Sequence, residues 1–145
     1  MPASSSKIIV AAAILAGLLG AGAGTYYLRQ HAAAPPGVSV GMQRATNTLM
    51  ALPELQAWSA FIEKASGGQA HGALIETSPE LRTVNGKRYR QLSFYESGVE
   101  TAHRWESFLV AVDGDEILVE DDVNDKLMSL ERWRKQSHPL QRIKK

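Results

Sequence analysis

The sequence predicts an α+β protein, in which an N-terminal membrane helix precedes one long helix packed on an antiparallel meander. Three patterns support this order: a charge-free N-terminal stretch, an apolar stripe with helical spacing, and alternating segments separated by turn residues. We expect about four strands and a short C-terminal helix. Residues 1–29 form a transmembrane anchor or signal peptide, 30–46 a flexible tether, 47–137 an exported α+β domain and 138–145 a basic tail.

Composition restricts the function classes. The 145 residues are 44% hydrophobic and 21% charged, which is typical of a globular chain with about one domain beyond a targeting segment. The chain has no cysteine, which excludes disulfides, thiol nucleophiles, cysteine-based metal sites and lipoprotein anchoring through an acylated cysteine. We therefore expect packing alone to stabilise the exported domain.

Charge is distributed unevenly along the chain, although the net charge is only +1. Residues 1–46 carry 3 basic and no acidic residues, residues 47–128 carry 7 basic and 14 acidic residues, and residues 129–145 carry 6 basic residues and one acidic residue. The acidic body argues against nucleic acid as a partner, because its charge repels phosphate.

The N-terminal stretch from Ile8 to Leu28 contains no charged residue over 21 positions. This length matches the roughly 20 helical residues that cross a bilayer core. Lys7 and Arg29 flank the stretch, and Tyr26 and Tyr27 stand where interfacial aromatic residues are common. We predict a single-pass protein of a bacterial inner membrane, with its C-terminal domain in the periplasm.

A cleaved signal peptide is the alternative, since Ala21-Gly22-Ala23 supplies the small residues that a cleavage site needs. Cleavage near Ala23 would leave a soluble periplasmic protein. If the helix is retained, small residues repeat every fourth position along one face and would favour a homodimer. These residues are Ala12, Ala16, Gly20 and Gly24.

The long helix is predicted over residues 47–66. Its apolar stripe recurs at spacings of three and four residues, and Pro53 indicates a break between Leu52 and Glu54. Gly67-Gly68 ends the helix. The stripe consists of Leu55, Trp58, Phe61, Ile62 and Ala65.

Four strands are predicted after this helix, with turns at Ser78-Pro79, Asn85-Gly86, Ser97-Gly98 and Asp113-Gly114. The strands are a short one at 71–77, then 87–96, 102–112 and 116–119. The predicted core face carries Arg88, Arg90, Leu92, Phe94, Phe108, Val110 and Val112. Ser129 caps a last helix over 130–136.

The acidic stretch FLVAVDGDEILVEDD raises the question of a metal site. Asp113-Gly114 is typical of a two-residue hairpin turn, and the glycine and acidic residues do not follow the offsets of a calcium loop. We therefore expect a turn at Asp113-Gly114, a solvated loop at 121–125, and neither a metal nor another cofactor.

Aromatic and polar side chains are predicted to share the sheet face that points away from the helix. Tryptophan, tyrosine and arginine dominate interface energetics, so this face is the predicted binding surface for a protein partner in the cell envelope. It comprises Tyr89, Gln91, Ser93, Tyr95, His103 and Trp105.

Two alternatives remain open. A small exported enzyme would use His71 or His103 with a carboxylate such as Glu106, although the chain contains none of the common hydrolase or phosphate-binding motifs and we do not expect catalysis. A structural subunit of an envelope complex would assemble through its small-residue membrane ridge.

The helix followed by a meander that closes with FLVAVDGDEILVE resembles PepSY-type domains, over about residues 47–122. The resemblance implies an exported binding or inhibitory module, often beside a membrane helix or a peptidase, and no catalytic residue. The chain departs from the pattern in a longer middle loop at 78–86 and longer central strands. Cystatin-like and NTF2-like sheets share the same element order. The expected function is partner docking, with inhibition of an exported hydrolase or toxin as one form of it.

Overall fold

Two helices open the part of the chain that the computed structural model describes, residues 38–144. The predicted membrane segment at 8–28, the cleavage site at Ala23 and the small-residue ridge all lie outside these residues. Within residues 38–144, every helix is too short or too polar to span a bilayer.

Helix α1 runs over Val40–Met50 and helix α2 over Pro53–Ala65, so the predicted break at Pro53 divides two separate helices. The Ser39 hydroxyl caps α1 by accepting a hydrogen bond from the Met42 amide at 3.1 Å. Residues 40–46, which the sequence assigned to the tether, are therefore helical. Their apolar spacing of three and four residues, Met42, Ala45 and Leu49, buries one face of α1 and outweighs the local Gly and Ser content.

The sheet has five antiparallel strands in the order β1-β2-β3-β4-β5, which confirms the α+β class and the meander. The bounds are β1 His71–Val84, β2 Lys87–Ser97, β3 Ala102–Ala111, β4 Ile117–Asp121 and β5 Lys126–Ser129. Helix α3, Leu130–Ser137, and a 3-10 helix, Pro139–Ile143, complete the chain.

Two strand predictions need correction. β1 continues through the predicted turn at Ser78-Pro79, because register shifts between Glu76 and Arg82 accommodate the proline at a sheet edge. β5 is an additional strand, and the acidic loop at 121–125 is the turn that connects it to β4.

The main core lies between the three helices and one face of the sheet, here called the helix face. Leu92, Phe94, Phe108 and Val110 point into it as predicted, and all four are at most 2% exposed. Trp58 of α2 is completely buried at its centre. This alternation of buried side chains along β2 and β3 fixes the register of the sheet against the helices.

The opposite face of the sheet, here called the outer face, carries a second, smaller apolar cluster. Tyr89, Leu109 and Ala111 are buried there and pack against partly buried Val84, Leu118 and Leu127. Arg82 of β1 forms an ion pair with Glu120 of β4, across two intervening strands. Side chains of the outer strands therefore cover part of this apolar centre.

The chain reverses direction at Asp113-Gly114 as predicted, but the connection is longer than the predicted two-residue turn. The Ala111 amide donates to the Glu116 carbonyl at 2.9 Å, which leaves a loop over residues 112–115. Gly114 has φ of +95°, a conformation that glycine adopts without steric cost. The Arg44 guanidinium of α1 donates to the carbonyl oxygens of Val112 and Gly114 at 3.3 and 3.2 Å. Across the described residues, no group of three or more His, Asp or Glu side chains could hold a metal ion.

Candidate functional site

The predicted binding face does not form a single surface, because a β-bulge interrupts β3. Phe94 pairs with Glu106 and Tyr95 pairs with Arg104, which leaves Trp105 as the extra residue. Trp105 and Glu106 consequently both contact side chains on the helix face. The strict alternation predicted for residues 103–106 is wrong at this point.

The predicted binding surface requires Tyr89 to be exposed, but Tyr89 is buried. It is only 2% exposed within the outer-face cluster. Burial and then the hydrogen bond to Glu116 raise the pKa of the Tyr89 phenol. Ser93 is also fully buried and shares a 2.7 Å hydrogen bond with Ser107. Tyr89 and Ser93 therefore stabilise the sheet and are inaccessible to a partner.

The other predicted residues are scattered. Gln91 is half-buried and donates to the Glu80 carbonyl at 3.4 Å, and Tyr95 is half-buried opposite Arg104. His103 is exposed near the start of β3. Only Trp105 belongs to a structured site, and it belongs there through contacts with the helices.

Trp105 is a partly buried member of an aromatic cluster. Its ring lies 5.2 Å from the Trp58 ring and 6.3 Å from the Phe61 ring, measured between centroids. Trp133 of α3 packs edge-on against Trp58 at 5.8 Å. Tilted and edge-on arrangements at these distances are favourable for aromatic pairs, so the cluster stabilises the packing of α2 and α3 against β3.

Glu106 connects this cluster to the C-terminal segment. Its Oε2 atom accepts hydrogen bonds from Trp133 Nε1 and from the Arg142 guanidinium, both at 2.9 Å. Arg142 also donates to the Trp105 carbonyl at 2.9 Å and lies 5.1 Å from the Trp58 ring centroid. Arg142 thus fixes the segment that was predicted to be a free basic tail.

A groove opens beside Trp105, between the β4–β5 turn and helix α3. Its volume is about 260 Å³. Val123, at the tip of the turn, is 93% exposed and overhangs the groove. The groove, here called the Trp105 groove, is lined by Trp105, Glu106, Glu120, Asp121, Asp122, Val123, Met128, Trp133, Ser137 and Arg142.

Carboxylates form the rim of the Trp105 groove. The side-chain hydrogen bond from Asn124 is the main cause that lowers the pKa of Asp121, so this group is ionised at neutral pH. Asp122 is ion-paired with Arg104 at the surface. Four carboxylates and the Arg142 guanidinium line the groove. Glu106, Glu120 and Asp122 are ion-paired with Arg142, Arg82 and Arg104, so among the described residues Asp121 is the lining carboxylate without an ion pair.

The histidine–carboxylate pair that an enzyme would need does not form in the described part of the chain. Neither His71 nor His103 hydrogen-bonds or ion-pairs with a carboxylate there, and His103 is exposed to solvent. Glu106 is instead held by Trp133 and Arg142. The geometry therefore gives no support to the proposed general acid–base pair.

A second cleft, of about 340 Å³, lies where α2 meets the C-terminal segment. Arg134 hydrogen-bonds both carboxylate oxygens of Glu54, whose side chain is only 5% exposed. Burial raises the pKa of Glu54, but the hydrogen bond and charge of Arg134 outweigh it, and the net pKa lies below its ordinary value. This pair joins the start of α2 to α3.

Protein-family models, curated proteins and solved structures were compared with the chain, and none of them matched. The resemblance to PepSY-type domains therefore rests on the element order and the final hairpin alone. The site has to be interpreted from its own geometry.

Several groove residues were missed because β5 was not predicted. Met128 lies on β5, and Val123 lies in the turn that β5 creates. The segment KLMS at 126–129 is too short, and does not alternate in polarity, so its pattern does not distinguish a strand from the start of a helix. The indication of a tight turn in the sequence was the pair Asn124-Asp125, because Asn and Asp tolerate the left-handed conformation that Asp125 adopts with φ of +50°.

Proposed function

We propose that this protein is a binding module of the cell envelope, tethered by its N-terminal membrane helix, which docks a protein partner in the Trp105 groove. The observation that carries the proposal is a tryptophan floor next to an exposed valine and an acidic rim. Tryptophan is enriched among the residues that contribute most to the binding energy of protein interfaces.

The groove favours a basic partner segment. A lysine or arginine side chain can place its aliphatic stem on Trp105 and Met128 and its charge beside Asp121. The acidic body of the chain, with 14 acidic and 7 basic residues over 47–128, adds a long-range attraction for the same kind of segment. An anionic partner would be repelled by both features.

The length of the tether limits how far from the membrane the domain can bind a partner. Residues 29–39 join the predicted membrane helix to the cap of α1, and about ten residues extend at most about 35 Å. The domain is thus held next to the membrane, where a partner in the same compartment sees a raised effective concentration. Inhibition of an exported hydrolase or toxin, as the PepSY-type resemblance implies, is the form of docking that we favour.

The structural-subunit alternative depends on the ridge formed by Ala12, Ala16, Gly20 and Gly24. It requires assembly through the membrane helix and leaves the Trp105 groove without a role. Docking in the groove is favoured because it accounts for an exposed valine above an aromatic floor.

The experiment is crosslinked capture of the C-terminally tagged full chain from intact cells, followed by mass spectrometry. Val123→Arg places bulk and positive charge at the rim of the groove. Val40→Arg makes the same change on α1, at a site that is 79% exposed and does not line the groove. Neither substitution touches a buried side chain, so both variants should remain folded.

We expect the wild type and Val40→Arg to capture the same protein, and Val123→Arg to lose it. The association should weaken as salt is raised, because charge attraction contributes to it. Equal capture by Val123→Arg and the wild type would exclude the groove as the docking site.

A further inference from the structure

Within residues 38–144, strand β1 leaves a long free edge on the sheet. It pairs with β2 on one side, and β1 and β5 are the two edges of the five-stranded sheet. β1 has 14 residues, whereas β5 has 4. A free edge presents unpaired backbone N–H and C=O groups that can pair with another strand.

Only the second half of β1 carries features that discourage such pairing. Two register shifts fall between Glu76 and Arg82, and Pro79 lies within the second of these shifts, between Ser78 and Arg82. By contrast, residues 71–76 pair continuously with β2 and contain neither proline nor lysine. Ile75 in this segment is 38% exposed. Residues 71–76 are therefore the unprotected part of the edge.

We propose that residues 71–76 pair antiparallel with the same residues of a second copy of this chain, so that two five-stranded sheets become continuous. The two-fold axis passes through the Leu74 pair, near the middle of the unprotected segment. The interface is isologous and closes on itself, which explains a long free edge without implying open-ended fibres.

The side chains are compatible with this pairing. Around the Leu74 axis, Ala73 lies opposite Ile75 of the second copy, which places two apolar side chains together on the outer face. Glu76 lies opposite Gly72 of the second copy, so no like charges face each other. Within its own chain Glu76 is already ion-paired with Arg90 at 3.2 Å, which limits the free energy needed to remove its carboxylate from water at the interface.

The position of the N-terminus favours a second copy over an unrelated extended peptide. A two-fold axis perpendicular to the sheet places the helices of both copies on the same side. Val38, where the described residues begin, packs against the helix-face core. The N-terminal segments of both copies thus reach the continuous sheet from its helix-face side, as two predicted anchors in one membrane require. Anchoring in the same membrane raises the effective concentration of the two copies, which favours pairing through a short strand segment.

The proposal can be tested by thiol crosslinking, because the full chain has no cysteine. Ile75→Cys places thiols about 8 Å apart across the axis, from the strand rise and spacing. Thr83→Cys, an exposed position on the same strand, places them on the order of 60 Å apart. Each full-length variant is treated in its native membrane with a short bis-maleimide.

We expect Ile75→Cys to give a product of doubled mass and Thr83→Cys to give none, although both thiols react with a single-headed maleimide. The Ile75→Cys product should persist when Gly20→Leu is added, because the contact lies in β1. The absence of a product from Ile75→Cys, equal products from both positions, or loss of the product with Gly20→Leu would overturn the proposal.

Discussion

Glu106 shows how one residue determines the packing of the C-terminal segment. Its carboxylate is only 13% exposed and accepts hydrogen bonds from Trp133 of α3 and from Arg142 of the 3-10 helix. A buried carboxylate without these donors would be unstable, and the two donors without the carboxylate would be unpaired. The closing segment is therefore part of the folded domain.

Replacing Glu106 by glutamine tests this role. Glu106→Gln keeps the shape but removes the charge that holds Arg142, and we expect a loss of about 1–3 kcal/mol in the free energy of unfolding. Urea titration followed by tryptophan fluorescence measures it. Glu131→Gln is the matched control, because its ion pair with Lys135 is exposed on both sides and should contribute little. Equal effects of both substitutions would contradict the role of Glu106.

The ionisation of Glu54 should make the free energy of unfolding depend on pH. Its folded pKa lies below the ordinary value of 4.5, chiefly because Arg134 outweighs the effect of burial. A lowered folded pKa stabilises the protein above the ordinary pKa, and that contribution is lost as the pH falls through the folded value. The wild type should therefore lose more unfolding free energy than Glu54→Gln on acidification from about pH 6 to about pH 3.

Urea titrations of both proteins at each pH give this difference, and the other carboxylates cancel in the comparison. Parallel curves for the wild type and Glu54→Gln would show that the Glu54–Arg134 pair contributes no pH-dependent stability.

Helix α2 and strand β1 meet at a glycine. A Cβ atom added at Gly72 would lie 2.6 Å from both Phe94 Cζ and Ser59 Oγ, closer than packed atoms approach. Phe94 is completely buried, and the Ser59 hydroxyl is held by a 2.8 Å hydrogen bond to the Leu55 carbonyl, so neither neighbour can move freely. The spacing of this helix and strand depends on the missing side chain.

Gly72→Ala should therefore lower the melting temperature, with a loss of about 1–3 kcal/mol from overpacking. Gly98→Ala, in the β2–β3 turn, is the control, since its added Cβ would lie no closer than 3.4 Å to any neighbour. Thermal unfolding followed by circular dichroism compares the two. A melting temperature for Gly72→Ala equal to that of Gly98→Ala would refute this interpretation of the contact.

The sequence predicts the orientation of some strand residues correctly and of others incorrectly, for physical reasons. The faces of Leu92, Phe94, Phe108 and Val110 could be predicted, because strand alternation is strict where pairing is regular. The position of Trp105 could not, because a bulge reverses the alternation and leaves no clear local pattern. Fold class was accessible from periodicity, whereas the site depended on a single extra residue.

The molecule as a whole combines an acidic body with a basic closing segment. The sequence predicts a basic tail at 138–145, but Arg142 of that segment is bound by Glu106, and Arg134 of α3 is bound by Glu54. These ion pairs connect residues about 36 and 80 positions apart, and charge composition alone carries no information about such pairing. Carboxylates of the acidic body therefore neutralise part of the basic closing segment.

The most direct test of groove docking is site-specific photo-crosslinking in intact cells. A photoreactive amino acid replaces Val123 in one full-length variant and Val40 in another, both at exposed positions. We predict that the probe at position 123 crosslinks one partner protein through a segment rich in lysine or arginine, and that the probe at position 40 does not. Absence of a protein adduct at position 123, or the same adducts from both positions, would contradict docking in the Trp105 groove.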